Sequence, residues 1–210
     1  MLPFSAHIPF IHTREIPSGA RPFARLSGWF EHPGAAAFVS GGEHARFSYL
    51  MAGPAAEAAL AYDDPQDATA FLQEASAFVR LEDHRPDLPP FTGGLVGMAG
   101  FELGLRLESL KRRPFRIEGR GAWPELVVRL YPAVLVFDHA RRGLIAIGRG
   151  ASGAEAEAAC DRLIALHDAT PERAEPEGAL ADGRLRLETP DDVHEDKVAA
   201  VVRQIHACHM

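Results

Sequence analysis

The sequence predicts an α+β fold with a mainly antiparallel sheet and flanking helices. Strand-like and helix-like runs follow one another as strands, helix, strands, helix, helix, without the regular alternation that builds a parallel sheet. Residues 123–138 are dominated by Val, Leu, Tyr and Phe and are followed by a turn and a second apolar run, which is typical of a hairpin. The 210 residues are 47% hydrophobic and 24% charged, an ordinary globular composition.

Two strands near the N-terminus are expected to pair as a hairpin. After an irregular start, we interpret 21–29 as a short strand and Pro33–Gly34 as a turn. Residues 35–40 form an apolar run typical of a buried strand. Residues 45–51 partly alternate in polarity and carry aromatic side chains, which predicts its partner.

A helix is predicted to begin at Asp64, which is followed by Pro65 at the first helical position and Asp67 in the first turn. It should span roughly four turns and end before Pro86. Its apolar face is formed by Ala68, Phe71, Leu72, Ala75, Phe78 and Val79.

Residues 89–110 are the most unusual stretch because glycines recur among apolar residues. Glycine is unfavourable inside a helix and marks close backbone approach in a strand. We therefore expect a buried, bent strand with another layer packed on it. The spacing of Gly94, Gly97 and Gly100 matches neither the dinucleotide fingerprint nor the P-loop, so a phosphate cradle is the weaker interpretation.

Residues 123–138 give the strongest strand signal, and Pro132 in their middle predicts a bulge or a sheet edge because proline has no N–H. Residues 139–143 should form a turn and 144–147 the returning strand.

Two helices are predicted after this hairpin. Ser152 and Glu155 form a capping box ahead of an apolar helical face. Residues 184–189 are a candidate short strand, and Asp192 should cap the last helix. Its apolar stripe, which requires a cover, consists of Val198, Val201, Val202 and Ile205.

Charge and composition argue against several classes of partner. The formal net charge is −7 and no basic stripe occurs, so we expect neither nucleic acid nor a membrane surface as partner. No run reaches the ~18 apolar residues of a membrane helix, and no signal peptide is recognised. The cysteines, Cys160 and Cys208, have no metal-binding spacing, and we expect a cytoplasmic protein.

Residue types alone give no convincing catalytic set. Glu102 and Glu108 have the parity to share one face of a strand, but solvated carboxylates are far commoner. Asp138 and His139 lie at a strand end, where catalytic residues often occur, yet we favour a role in the turn itself.

Three further candidates have a structural alternative that we prefer. Cys160 lies on an apolar helix face and is interpreted as a core residue. The cluster His206, Cys208 and His209 is interpreted as a frayed end, not a metal site. Arg46 has the geometry to pair with a carboxylate, but an exposed arginine is the favoured interpretation.

Three stretches together resemble a known family. Residues 93–110 are similar to "GG-x-x-G-x-x-GYDLGRRFESL". Residues 123–139 match "lPd…YD…DH", and 38–54 match "LL(E/D/H)S…GR(Y/F)S(F/Y)…P". These motifs are those of component I of aminodeoxychorismate synthase and its close relative, component I of anthranilate synthase. Leu105 stands where that family has an arginine.

The resemblance implies a chorismate-utilising enzyme. The intact family enzyme uses Mg²⁺ and takes ammonia from a glutamine amidotransferase subunit, component II. Its product, 4-amino-4-deoxychorismate, leads to p-aminobenzoate and folate. Anthranilate synthase component I, of the tryptophan pathway, is the alternative.

The resemblance also implies a division of the chain. Residues 1–168 resemble the family's N-terminal domain, 169–188 a linker, and 189–210 the first helix of the chorismate-binding catalytic domain. The family's metal-binding glutamates, catalytic lysine and catalytic histidine would follow. We therefore expect no catalytic residue and no bound metal here, and an incomplete component I, whether a truncated or frameshifted product or an isolated domain.

Half of a ligand pocket carries over by resemblance. In the family, an N-domain tryptophan site is lined by residues that match Ser40, His44, Ala45, Arg46 and Phe47. Val39 replaces the glutamate of the feedback-inhibited enzymes, which removes a partner for the ligand's ammonium group. The alternative hypothesis is a stand-alone ligand-binding or interaction domain that uses the same residues.

Overall fold

The computed structural model describes residues 8–17, 24–61, 64–77, 85–101, 103–108, 124–172 and 191–208. The strands are β1 (Phe10–Ile16), β2 (Ala36–Phe38), β3 (Phe47–Met51), β4 (Ala56–Leu60), β5 (Gly94–Ala99), β6 (Leu126–Tyr131), β7 (Ala133–Asp138) and β8 (Gly143–Gly150). The helices are α1 (Leu26–Trp29), α2 (Ala68–Ala77), α3 (Leu103–Leu107), α4 (Gly153–Ala169) and α5 (Asp191–Cys208). The chain divides into two compact units, residues 1–173 and 174–210.

The strands of the first unit form two antiparallel sheets. The larger has the order β1-β8-β7-β3-β2 and the smaller the order β4-β6-β5. Every strand pair within them is antiparallel. The predicted α+β class with a mainly antiparallel sheet and flanking helices is therefore confirmed, as is the pairing of β2 with β3.

Alternating side chains on each strand build three apolar layers. One layer lies between α4 and the larger sheet and includes Leu135, Ala146 and Leu163. A second lies between the smaller sheet and α2 and includes Phe71 and Val128. The third lies between the sheets; its buried members are Met51, Tyr131, Val134, Val136 and Ile147.

The predicted long strand 123–138 is divided at Pro132. Tyr131 pairs with Gly94 in the smaller sheet, whereas Ala133 pairs with Gly148 in the larger one. The chain therefore changes sheets at the residue that cannot donate to a ladder. The interruption was predicted, but it is a switch between sheets and not a bulge or an edge.

Helix α4 lies unusually close to β8 because Gly148 and Gly150, which face it, lack side chains. A Cβ on Gly148 would lie 2.1 Å from the Ala156 carbonyl oxygen, and one on Gly150 would lie 2.5 Å from the Ala156 nitrogen. Ser152 Oγ accepts the Glu155 N–H at 3.3 Å, which confirms the predicted cap. The Glu155 carboxylate accepts from the N–H of Ala151.

Two of the predicted N-terminal strands are wrong in part. In 21–29 the described residues form helix α1, not a strand, and the buried Trp29 indole donates to the Met51 carbonyl at 2.9 Å. The predicted buried strand 35–40 is the three-residue β2 at the edge of the larger sheet. Phe38 is 52% exposed, so the strand is less buried than predicted.

The helix predicted from Asp64 begins later, at Ala68. Asp67 is its cap, since its Oδ1 accepts the Ala70 N–H at 2.9 Å. Asp64 forms a turn before the helix by accepting the Gln66 N–H at 2.9 Å. Its predicted final turns, residues 78–84, lie outside the described residues.

The glycine-rich stretch is a strand followed by a helix, and not one strand. Strand β5 ends at Ala99, and α3 begins at Leu103. The strand is at an edge of the smaller sheet, and its last three residues are exposed, so it is less buried than predicted. A Cβ on Gly97 would lie 3.1 Å from the Val127 carbonyl oxygen, which is the close backbone approach that the glycines indicated.

The second unit contains the predicted last helix. Helix α5 begins at Asp191, one residue before the predicted cap, and Val198, Val201 and Val202 are each about half exposed. The candidate strand 184–189 lies outside the described residues. Among the helices that the structure describes, none has the length and hydropathy needed to cross a membrane.

Gly148→Ala is expected to destabilise the first unit by about 2–3 kcal/mol, because α4 must move away from the sheet to admit a methyl group. Urea unfolding followed by circular dichroism measures this change. Gly143→Ala in the same strand is the control, since no atom lies within 4 Å of its added Cβ. Equal unfolding midpoints for the two variants would contradict the close packing of α4.

Candidate functional site

The residues that the resemblance assigns to a ligand pocket lie in one connection between adjacent strands. We call residues 40–47, which begin two residues after β2 and end at the first residue of β3, the candidate ligand segment. Its middle is a turn in which the Ala45 N–H donates to the Gly42 carbonyl at 3.2 Å. Gly42 has a φ of +86°, a conformation that favours glycine. Ser40, His44 and Arg46 are exposed, whereas Ala45 and Phe47 are half-buried.

The residues alone favoured an unpaired, exposed Arg46. The structure shows that this arginine is paired with a carboxylate. Its Nη2 donates to Asp138 Oδ2 at 3.0 Å, and that carboxylate is almost fully buried. The guanidinium also lies over the Phe47 ring, 5.0 Å from its centroid. The arginine itself is 51% exposed, so it presents positive charge to solvent beside an aromatic ring.

Asp138 serves both the turn and the candidate ligand segment. Its Oδ1 accepts the N–H groups of Ala140 and Arg141 at 2.9 and 3.0 Å, which confirms its predicted role in the turn. Its Oδ2 accepts from Arg46, a contact that was not predicted because the two residues are 92 positions apart.

Ser48 and His139 extend this polar network to the start of the segment. Ser48 Oγ accepts the Ser40 N–H at 3.0 Å and shares a hydrogen bond of 2.8 Å with His139 Nε2. The His139 ring packs edge-on against Phe137, with centroids 4.9 Å apart. Ser48 is the serine of the family motif in residues 38–54, but it was not predicted to make this contact. Apart from that motif, nothing in the sequence marks this serine as part of the site.

Aromatic side chains continue from the segment into the space between the sheets. The centroids of Phe47 and Tyr49 are 6.4 Å apart, and those of Tyr49 and Phe91 are 5.7 Å apart. Burial raises the pKa of the Tyr49 hydroxyl, and a hydrogen bond with the Phe91 backbone lowers it by a smaller amount. The phenol therefore stays neutral at physiological pH.

An apolar cleft of about 320 Å³ lies elsewhere, between α2 and the β5–β6 pair. Gly97 is among its lining residues, so the glycine-rich strand forms one wall of it. The other lining residues are Leu72, Ala75, Leu95, Met98, Ala99, Leu126 and Val128.

The remaining sequence candidates form no catalytic group in the described residues. Glu108 follows α3, so the strand parity that would have paired it with Glu102 does not apply, and Glu102 itself lies outside the described residues. No group of three or more His, Cys, Asp or Glu side chains able to hold a metal ion occurs where side chains are described.

The structure describes one of the two cysteine-containing candidates, Cys160, but not the side chains of the C-terminal cluster. Cys160 is fully buried on α4 and its Sγ lies 3.6 Å from the Ala146 carbonyl, which confirms it as a core residue. Burial raises the pKa of its thiol, while Arg14 lowers it by less. The side chains of His206 and Cys208, and all of His209, lie outside the described residues.

Arg106, in the glycine-rich motif, holds α3 in place. Its Nη1 donates to Glu125 Oε2 at 2.5 Å, and its Nη2 donates to the carbonyls of Gln66, at 2.7 Å, and Asp64. The side chains of Arg106 and Glu125 are 12% and 1% exposed. These contacts give Arg106 a structural role, which is a physical reason for an arginine at this position of the motif.

The comparisons with known proteins place the chain in a family. The model of the chorismate binding enzyme family matches residues 35–210. The chain therefore belongs to the chorismate-binding enzyme family, as the motifs indicated.

Individual relatives are more distant. The chain is 28% identical over 140 residues to aminodeoxychorismate synthase component 1 of Klebsiella aerogenes, a match that covers 60% of this chain and 28% of that protein. The chain thus spans under a third of the length of this relative. The crystal structure of anthranilate synthase component I from Streptococcus pneumoniae TIGR4 is similar with a TM-score of 0.45 and 22% identity, over 62% of this chain and 31% of that one.

Arg106→Ala is expected to lower the free energy of unfolding by about 3 kcal/mol, because the buried Glu125 carboxylate loses its guanidinium. Urea unfolding measures the change. Arg85→Ala removes a surface pair with Asp87, whose side chains are 54% and 59% exposed, and should leave the midpoint unchanged. Equal midpoints in both variants would show that Arg106 does not hold α3.

Proposed function

We propose that this chain is part of an aminodeoxychorismate synthase component I. The observation that carries the proposal is the 28% identity with the Klebsiella aerogenes protein, together with the family match over residues 35–210. On this proposal, the whole protein converts chorismate and ammonia to 4-amino-4-deoxychorismate in the cytoplasm, toward p-aminobenzoate and folate. It uses Mg²⁺ and a glutamine amidotransferase subunit, component II, as the source of ammonia.

Within that protein, we infer that this chain supplies structural support and one half of a ligand site, and that the catalytic residues lie elsewhere. The candidate ligand segment places a half-exposed guanidinium, that of Arg46, over the ring of Phe47 at 5.0 Å. A cation beside an aromatic side chain suits a ligand that carries a carboxylate and an aromatic ring. Tryptophan has both groups, and this supports the half-site that the resemblance implies.

Incubation of the 210-residue chain with chorismate, Mg²⁺ and ammonium is expected to give no product by liquid chromatography. On the proposal, the reacting groups belong to the part of the relative's length that this chain does not match. Formation of aminodeoxychorismate by the chain alone would refute that assignment.

A chimera tests the identity of the enzyme separately. Residues 1–173 of this chain, exchanged for the matching region of the Klebsiella aerogenes protein, should support formation of aminodeoxychorismate. The unexchanged protein is the control. The same exchange into anthranilate synthase component I from Streptococcus pneumoniae TIGR4 is the competing arm. Formation of anthranilate there, with an inactive Klebsiella aerogenes chimera, would replace the proposal with anthranilate synthase component I.

Tryptophan is expected to bind the candidate ligand segment with a Kd weaker than about 1 mM, because one half of a pocket supplies few contacts. Chemical shifts of residues 40–47 measure this, and Arg46→Ala should abolish the change. Arg14→Ala is the matched control, since its side chain is 46% exposed and pairs with Asp161 on α4.

The strength of binding separates the hypotheses. Binding tighter than about 1 mM would favour a stand-alone ligand-binding domain. If tryptophan leaves the chemical shifts of residues 40–47 unchanged in the unmodified chain, the candidate ligand segment is not a tryptophan half-site.

A further inference from the structure

Three hydrogen bonds join the candidate ligand segment and the adjoining start of β3 to Asp138, the last residue of β7, and His139, the first residue of the following turn. A fourth joins the start of the segment to β3. At the end of the segment, Arg46 Nη2 donates to Asp138 Oδ2 at 3.0 Å and the Arg46 carbonyl accepts the His139 N–H at 2.9 Å. At its start, the Ser40 N–H donates to Ser48 Oγ at 3.0 Å, and Ser48 Oγ in turn meets His139 Nε2 at 2.8 Å. The end of the segment is thus bonded directly to two consecutive residues, Asp138 and His139, and its start is linked to His139 through Ser48.

The burial of these partners contrasts with the exposure of the segment. Ser48 and Asp138 are 1% and 4% exposed, whereas residues 40–44 are all exposed. A Cβ on Gly41 or Gly42 would have no atom within 4 Å, so this part of the segment is not shaped by packing. Hydrogen bonds with buried partners are costly to lose, because the partner group is left without solvation.

We propose that Ser48, Asp138 and His139 are positioning residues for the candidate ligand segment. Asp138 sets the place of the Arg46 guanidinium, and His139 sets the Ser48 hydroxyl that fixes the Ser40 N–H. They act through the segment and need not touch the ligand. The inference rests on the proposed function, in which the segment binds a ligand, but the geometry that it describes is measurable without any ligand.

Amide hydrogen exchange of the ligand-free chain tests the positioning directly. In Ser48→Ala, the Ser40 amide should exchange about 10-fold faster than in the unmodified chain, because its acceptor is gone. His139→Phe keeps a ring against Phe137 but removes the nitrogen, and should accelerate the same amide. Arg141→Ala is the control. The Arg141 side chain is 75% exposed, and its Nε lies 3.9 Å from Asp138 Oδ2, the oxygen that accepts from Arg46, but it makes none of the four hydrogen bonds.

A second pair of measurements separates positioning from simple loss of stability. His139→Gln, which can hydrogen-bond to Ser48, should restore slow exchange at Ser40, whereas His139→Phe should not. The thermal midpoints of the two variants should agree, and amides of β6 should exchange as in the unmodified chain. Slow exchange at Ser40 in both Ser48→Ala and His139→Phe, or equal acceleration at Ser40 and throughout β6, would overturn the proposal.

Tryptophan binding by the same variants distinguishes failure of the proposed half-site from failure of the positioning role. In the unmodified chain and in Arg141→Ala, millimolar tryptophan should shift the resonances of residues 40–47, and in Asp138→Asn the shift should fall about 10-fold as Arg46 loses its anchor. If tryptophan shifts nothing in any variant, the proposed half-site fails, while faster Ser40 exchange in Ser48→Ala still supports the positioning role. If Asp138→Asn binds as the unmodified chain does, Asp138 is not a positioning residue.

Discussion

Arg149 is buried between the two sheets, and its hydrogen bonds join the places where the chain is irregular. Its guanidinium donates to the carbonyl and hydroxyl of Thr92, ahead of β5, and to the carbonyl of Ile8, ahead of β1. Its backbone N–H donates to the Pro132 carbonyl at 2.7 Å, at the switch between sheets. Buried polar groups are stable where they are hydrogen-bonded. One side chain of the larger sheet therefore holds the residues that lead into β5 of the smaller sheet and into β1 of its own sheet.

The candidate ligand segment depends on the same framework. The change of sheets at Pro132 sends β7 into the larger sheet, where it pairs with β3, and Phe47 comes to lie opposite Asp138. That register brings the end of β7 beside the segment before β3. The contact between Arg46 and Asp138 is thus a consequence of strand pairing, and no local feature of residues 40–47 would produce it.

The sequence predicts well those elements whose own residues determine them. Strands β6 to β8 follow from dense Val, Leu and Ile, and the start of α4 from Ser152. Strand β4 was missed because its alanines and Glu57 have low strand propensity, and it forms by pairing with β6. Helix α3 was taken for strand because its sequence is apolar, and it is held by Arg106.

The candidate site shows the same division. Motif resemblance selected five residues within 40–47, and the structure places four of them in the short connection between β2 and β3 and the fifth, Phe47, at the start of β3. The contacts of Ser48 with His139 and of Arg46 with Asp138 were not predicted, because the partners lie 91 and 92 positions apart in the sequence. Contacts over such separations are set by topology and register, which single residue types do not encode.

Asp138 gives one oxygen to the backbone of the turn and the other to a guanidinium on the neighbouring hairpin. Two pieces of the molecule therefore share a single carboxylate. Substitutions in one piece will alter the effect of substitutions in the other, so that their energies do not add. In evolutionary terms the turn and the segment are epistatic, and a lineage that changes one is constrained in how it changes the other.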